Sequence, residues 1–278
     1  MIHPLYSCIW FNNQAEEAAT FYSSLFRNGK VLQNTPIVST FEIDGSKFMA
    51  LNGGPTYEVN GAVSYYVYAE NEAEINRLYA ELIQDGSINM PLEKYDWSDR
   101  YAWVVDRFGV NWQLDIASIP YTQKIVPCLL FANQKMGKVK EAINYYTQIF
   151  SPAEILMEYP YPVETGLPEG TLLFSQYHLN HLMFQAMSST LQHNFDFSPG
   201  NSFVVECDTQ DEIDYYWNKL GADGHYDMCG WLADKYGISW QIIPHQLPQW
   251  MADPEKGQRV IEAFLKMQKF DIQTLMDA

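Results

Sequence analysis

Polar side chains set beside large aromatics are the first candidates for chemistry in this sequence. Gln113 and Gln241 each follow a tryptophan in two matching runs, Asp106-Arg107-Phe108-Gly109-Val110-Asn111-Trp112-Gln113-Leu114 and Asp234-Lys235-Tyr236-Gly237-Ile238-Ser239-Trp240-Gln241-Ile242. On a strand, neighbours point to opposite faces, so a glutamine can line a cleft while its tryptophan packs a helix. In that position the amide offers a donor and an acceptor to a bound small molecule, with Trp10, Tyr66, Trp103 and Trp231 as aromatic walls. The alternative is that all of them are core, because a buried amide needs partners in either case.

Other chemistries find less support. The six histidines include His178 and His181, whose spacing puts their side chains on opposite faces of the strand expected there, so they do not share an ion. His3, His193, His225 and His245 fall in expected loops or termini with no matching acidic cluster, and ordinary surface or hydrogen-bonded roles are expected. The four cysteines, Cys8, Cys128, Cys207 and Cys229, stand singly in or near apolar segments and read as reduced, buried thiols without zinc-site or disulfide spacing. Glu93, Asp96 and Asp99 read as a solvated loop. No G-x-S-x-G elbow is present, and no glycine-rich strand-to-helix loop for a nucleotide cofactor; Asn52-Gly53-Gly54-Pro55 reads as a turn.

The elements that must position the glutamines come twice. Besides the Trp-Gln runs, Cys8-Ile9-Trp10-Phe11 answers Cys128-Leu129-Leu130-Phe131, Glu17-Ala18 with Phe21-Tyr22 answers Glu141-Ala142 with Tyr145-Tyr146, and Ser64-Tyr65-Tyr66-Val67 answers Ser202-Phe203-Val204-Val205. An insertion around Lys135 to Lys138 falls where a strand passes into a helix. Hydrophobic period divides each copy into two β-α-β-β-β modules. Asp44-Gly45 marks a hairpin, and Asn28-Gly29 and Asp85-Gly86 mark helix ends. Hairpin-linked strands with helices on one face give an α+β class of curved mixed sheets around a cleft. The expected domains are 1–119 and 120–247, followed by a tail at 248–278 that forms one or two amphipathic helices on the second copy.

With 278 residues, 47% of them hydrophobic, the chain can bury a core without metal or disulfide. Its net charge of -17 opposes a phosphate-binding surface, so no nucleic-acid or membrane partner is expected. No apolar run is long enough for a transmembrane helix, and Met1 to Leu5 lacks the basic and apolar pattern of a secretory signal. A cytoplasmic protein is expected.

The paired modules, Glu17-Ala18 to Phe21-Tyr22, Phe48-Met49-Ala50-Leu51-Asn52-Gly53-Gly54, the stretch from Cys229-Gly230-Trp231-Leu232 to Ile243-Pro244, and the tail Met267-Gln268-Lys269-Phe270-Asp271-Ile272 resemble the PhnB-like family of the vicinal oxygen chelate superfamily, twice over. That superfamily includes glyoxalases, extradiol dioxygenases and drug-sequestering resistance proteins. Its metal-using members hold a divalent ion with His or Gln on the first strand of each module and Glu on a final strand. The resemblance places those positions near Tyr6, Ala62 or Ser64, and Gln113 in the first copy, and near Val126, Gly200 or Ser202, and Gln241 in the second. None is His, Asp or Glu, so no metal and no cofactor is expected there.

Two readings of function follow. The first is a metal-free protein binding a small molecule in an aromatic cleft, with Tyr6, Trp10, Tyr66, Trp103, Gln113, Trp231 and Gln241 as contacts. The second is a metal-dependent lyase or isomerase of glyoxalase type with unrecognised ligands. The family's methyltransferase label finds no support in the residues. Tandem copies favour a monomer that contains its own pseudo-dimer, with a homodimer as the alternative.

Overall fold

A computed structural model describes residues 3–117, 119 and 121–278. Met1, Ile2, Ser118 and Pro120, the last at the expected junction of the copies, lie outside them. The first copy runs β1 (Tyr6–Phe11), α1 (Ala15–Leu25), β2 (Lys30–Asn34), β3 (Val38–Ile43), β4 (Ser46–Asn52), β5 (Val63–Ala69), α2 (Glu72–Leu82), β6 (Ser87–Tyr95), β7 (Ser98–Val105) and β8 (Asn111–Ile116). The second answers with β9 (Ile125–Phe131), α3 (Val139–Ile149), β10 (Ala153–Pro160), β11 (Leu172–Leu179), β12 (Leu182–Ser188), β13 (Asn201–Cys207), α4 (Gln210–Gly221), β14 (His225–Tyr226), β15 (Trp231–Ala233) and β16 (Ser239–Pro244). The β-α-β-β-β order thus occurs four times.

Local chemistry sets these boundaries. The Asn71 side chain accepts from the Glu74 amide to start α2, and Thr209 with Glu212 forms a capping box that starts α4. Asp44 and Gly45, both at positive φ, turn β3 into β4, as a two-residue hairpin requires. Asn180 and His181, at φ 48° and 69°, do the same between β11 and β12. His181 therefore sits in a turn, not on the strand with His178 as the spacing suggested. Glu93 and Asp99 also depart from expectation, because β6 and β7 pair and leave only Asp96 and Trp97 as their turn.

The strands form two eight-stranded sheets, and each sheet takes one module from each copy. The first has the order β14-β15-β16-β13-β1-β4-β3-β2 and the second β10-β11-β12-β9-β5-β8-β7-β6. The copies meet at antiparallel seams, β1 with β13 and β5 with β9. Helices lie against both sheets in the interior: Tyr22 of α1 and Leu78 of α2 share a core with Phe11, Phe48, Tyr65 and Trp112, while α3 and α4 pack with Phe131, Phe184, Phe203 and Trp240. The other face of each sheet is left to form a cleft.

Beyond β16 the tail makes three short helices, α5 (Leu247–Met251), α6 (Gly257–Phe264) and α7 (Ile272–Asp277), where one or two were expected. Pro254, without an amide hydrogen, stands between the first two. The tail docks on the second copy through bonds from the Cys229 and Gly230 amides to the Met267 and Gln268 carbonyls, and buries Phe270. Among the described residues, no helix is long and apolar enough to cross a membrane.

Candidate functional site

Alternation along β1 sends Ile9 and Phe11 into the helical core and Tyr6, Cys8 and Trp10 to the cleft face of the first sheet. Register places Val204 opposite Tyr6, Ser202 opposite Cys8, and Gln241 beside Val204. The Gln241 Nε2 donates to Ser202 Oγ at 2.9 Å, and both side chains bond the Cys8 thiol, which burial pushes up to about 12. Farther along, Trp10 and Trp231 meet edge to face at 5.9 Å between ring centroids. Trp10 lies flat on Gly53, where a Cβ would fall 2.1 Å from the indole, and donates Nε1 to the Gly54 carbonyl at 2.8 Å. Only glycine leaves room for that ring.

At the other end of the first cleft, Tyr6 donates its hydroxyl to Glu206 Oε1 at 2.7 Å, and Lys47 Nζ reaches the same oxygen at 2.8 Å while standing over the Tyr6 ring. Burial works to raise the Glu206 carboxyl, but bonds from Lys47, Tyr6 and His245 outweigh it and hold the group below the usual glutamate range. Burial, and then the Glu206 charge, push the Tyr6 phenol well up. Glu206, Tyr6 and Lys47 line a cavity of about 320 Å³ that extends to Thr122 and Leu182.

The second sheet repeats the centre with the copies exchanged. Gln113 Nε2 donates to Ser64 Oγ at 2.7 Å, its Oε1 accepts from the Tyr101 hydroxyl, and the buried Cys128 thiol, also raised to about 12, bonds both Gln113 and Ser64. Here the cleft is filled. Tyr66, Tyr68, Tyr101, Val126, Cys128 and Met183 form one buried cluster. Tyr66 donates to Asp115 at 2.7 Å, and Trp103 Nε1 donates to Asn111 at 3.1 Å.

Of the residues singled out in the sequence, Tyr6, Trp10, Trp231 and Gln241 gather on the first sheet, and Tyr66, Trp103 and Gln113 on the second. Trp112 and Trp240 point the other way, into the helical cores. The sets expected within one copy do not stay together: Tyr6 reaches Glu206 and shares its sheet with Ser202 and Gln241, which face Cys8, while Ser64 and Gln113 face Cys128. Both cysteines belong to these centres, and their matched places in the two first-strand runs were the available signal. Glu206 and Lys47 had no local signal. Neither centre suits a hard divalent ion, because the thiols are protonated at neutral pH and each glutamine amide is already bonded to its serine.

The family model for 3-demethylubiquinone-9 3-methyltransferase matches residues 3–115 and again 123–243. The chain belongs to this PhnB-like family. The match falls once on each copy, so the PhnB-like unit is present in tandem. Among solved structures, the PhnB protein of Bacillus cereus is 34% identical over 40% of this chain and 98% of its own, with a TM-score of 0.39. Glyoxalase I of Zea mays is 8% identical over 87% of this chain and 92% of its own, with a TM-score of 0.57, a likeness that shows the glyoxalase fold alone. No curated protein matches.

Proposed function

We propose that this PhnB-like chain is a cytoplasmic, monomeric binding protein for a small, partly apolar molecule, and that the cleft of the first sheet is its binding surface. The observation that carries this reading is the contrast between the two clefts. In the second, Tyr66, Tyr68, Tyr101 and Met183 crowd the centre, with Trp103 and Met187 partly exposed at its margin; in the first, no such tyrosine cluster among the described residues stands over the centre, and Trp10, Lys47, Met49, Leu51 and Trp231 stay partly exposed around the buried Gln241. Aromatic faces would supply contact area and the Cys8–Ser202–Gln241 group neutral polarity, so binding needs no ion at the cleft centre. The acidic surface, net -17, disfavours polyanionic ligands and nucleic acid. Because each sheet already contains both copies, one chain supplies the pairing that a dimer would otherwise provide.

Native mass spectrometry of the untagged chain tests the proposal, together with titration by the apolar dye 8-anilinonaphthalene-1-sulfonate. A retained organic molecule, or dye binding that Trp231→Ala weakens and Trp103→Ala does not, supports the first cleft. Dye binding lost equally in both variants, or in neither, would remove it.

A further inference from the structure

Three residues far apart in the sequence meet at one end of the first sheet. His3 precedes β1, Glu206 lies near the end of β13, and His245 follows β16 directly. The neighbour order β16-β13-β1, with Tyr6 opposite Val204 and Cys207 beside Pro244, brings these ends level. One ring nitrogen from each histidine and a Glu206 carboxylate oxygen lie within 4.8 Å of one another. His245 Nδ1 is 2.8 Å from Glu206 Oε2, and the two imidazoles stack with centroids 3.8 Å apart. A second carboxylate, Asp208 Oδ1, stands 2.8 Å from His3 Nε2. The sequence reading, which found no acidic cluster for His3 or His245, is corrected here by strands that pair across the whole chain.

We propose that His3, Glu206 and His245 form a binding site for a borderline divalent transition ion, Zn²⁺ foremost. Two imidazoles with one carboxylate favour Zn²⁺ or Co²⁺ over Mg²⁺ and Ca²⁺, which take oxygen sets. Nitrogen and oxygen ligands of a tetrahedral zinc ion stand about 3.3 Å apart. The bonded His245–Glu206 pair is close to that spacing, and one of the two stacked imidazoles must rotate out of the stack so that both in-plane nitrogen lone pairs converge on the ion. Lys47 occupies the other Glu206 oxygen, leaving Oε2 for the metal. Asp208 is placed as the outer carboxylate that orients His3.

Glu206 also lines the 320 Å³ cavity, so a fourth coordination position could face that space. The site is separate from the neutral Cys8–Ser202–Gln241 centre and lies farther along the same strands. It has no twin. By the repeat alignment, the second sheet carries Gln123, Tyr68 and Ala117 in the places of His3, Glu206 and His245. Among the described residues, no other group of three potential ligands stands this close.

The test is titration of the full chain, stripped by chelator and dialysed, with ZnCl₂ by calorimetry and with CoCl₂ by visible absorption. One ion per chain at micromolar or tighter affinity is expected, with the absorption of low-coordinate cobalt. Glu206→Gln and His245→Ala should each weaken binding at least tenfold, while His193→Ala should leave it unchanged. No binding at about 100 µM zinc would overturn the proposal. So would unchanged binding in His245→Ala, which would assign the ion to His3 and the start of the chain. If Glu206→Gln fails to fold because Tyr6 and Lys47 lose their partner, the exposed His245 still decides the matter. The assay uses no organic ligand, so its failure is distinct from failure of the cleft reading.

Discussion

Tyr22 donates its hydroxyl to Asp106 at 2.7 Å, tying α1 to the turn between β7 and β8. The carboxylate also accepts from Trp112 Nε1 and from the Phe108 and Val110 amides. Asp234 repeats the arrangement with Tyr146, Trp240, Tyr236 and Ile238. Every partner is a donor, so an amide in place of the acid turns one end of the network against itself. Asp106→Asn and Asp234→Asn should each cost about 3 kcal/mol, read as a lowered midpoint in urea unfolding. A midpoint within error of wild type would show that water replaces the lost acceptor.

At Asp44, by contrast, no donor network among the described residues surrounds the carboxylate, and its charge works against the fold. Burial, and then the Glu74 charge, raise its carboxyl to about 6. The folded state therefore holds this proton more tightly than the unfolded chain does, and stability falls as pH rises from about 4 to about 6. Asp44→Asn keeps a good hairpin residue before Gly45 and removes the charge. At pH 7.5 the variant should be more stable by on the order of 1 kcal/mol after screening at this part-exposed site, about 2 °C in melting temperature. The gain should vanish near pH 4. A constant gain across that range would assign it to the turn and not to the charge.

The thiols should divide by place. Cys8 and Cys128, raised to about 12 by burial, carry almost no thiolate at neutral pH, and Cys207 is buried too. Cys229, half-buried, should be the one that reacts with a disulfide reagent in the native state, with all four cysteines reacting after denaturation. Rapid native modification of Cys8 would mean that the first cleft opens around its centre.

The glutamines separate the clefts. Gln241→Ala should weaken a first-cleft ligand by roughly tenfold, the value of one or two lost hydrogen bonds. Gln113→Ala should leave affinity unchanged and lower thermal stability, because Gln113 is 1% exposed and joined to Tyr101 and Ser64. Parallel measurement of affinity and melting temperature on both variants checks this, and a fall in affinity for Gln113→Ala would bring the second cleft back as a binding site.

Much of this arrangement was legible in the residues. The Trp-Gln alternation correctly separates Trp112 from Gln113, and Asp44-Gly45 marks its hairpin, because both depend on neighbours in the chain. β6 was harder to read: its residues are mostly exposed and include Pro91, so no hydrophobic period announces it. The pairing of β1 with β13 left no local trace either, since apolar alternation makes a strand without naming its partner. For the same reason Tyr6 could not be matched to Glu206, nor His3 to His245.

The antiparallel seams also govern how this chain can be made. During synthesis, the edge of β1 that will receive β13 has no partner until almost three-quarters of the polypeptide has been produced, as the residue numbers show. An unpaired strand edge invites pairing with another nascent molecule. A ribosome stalled in the second copy would leave exposed the surface that completes a sheet, so the last modules protect the nascent chain from its own siblings.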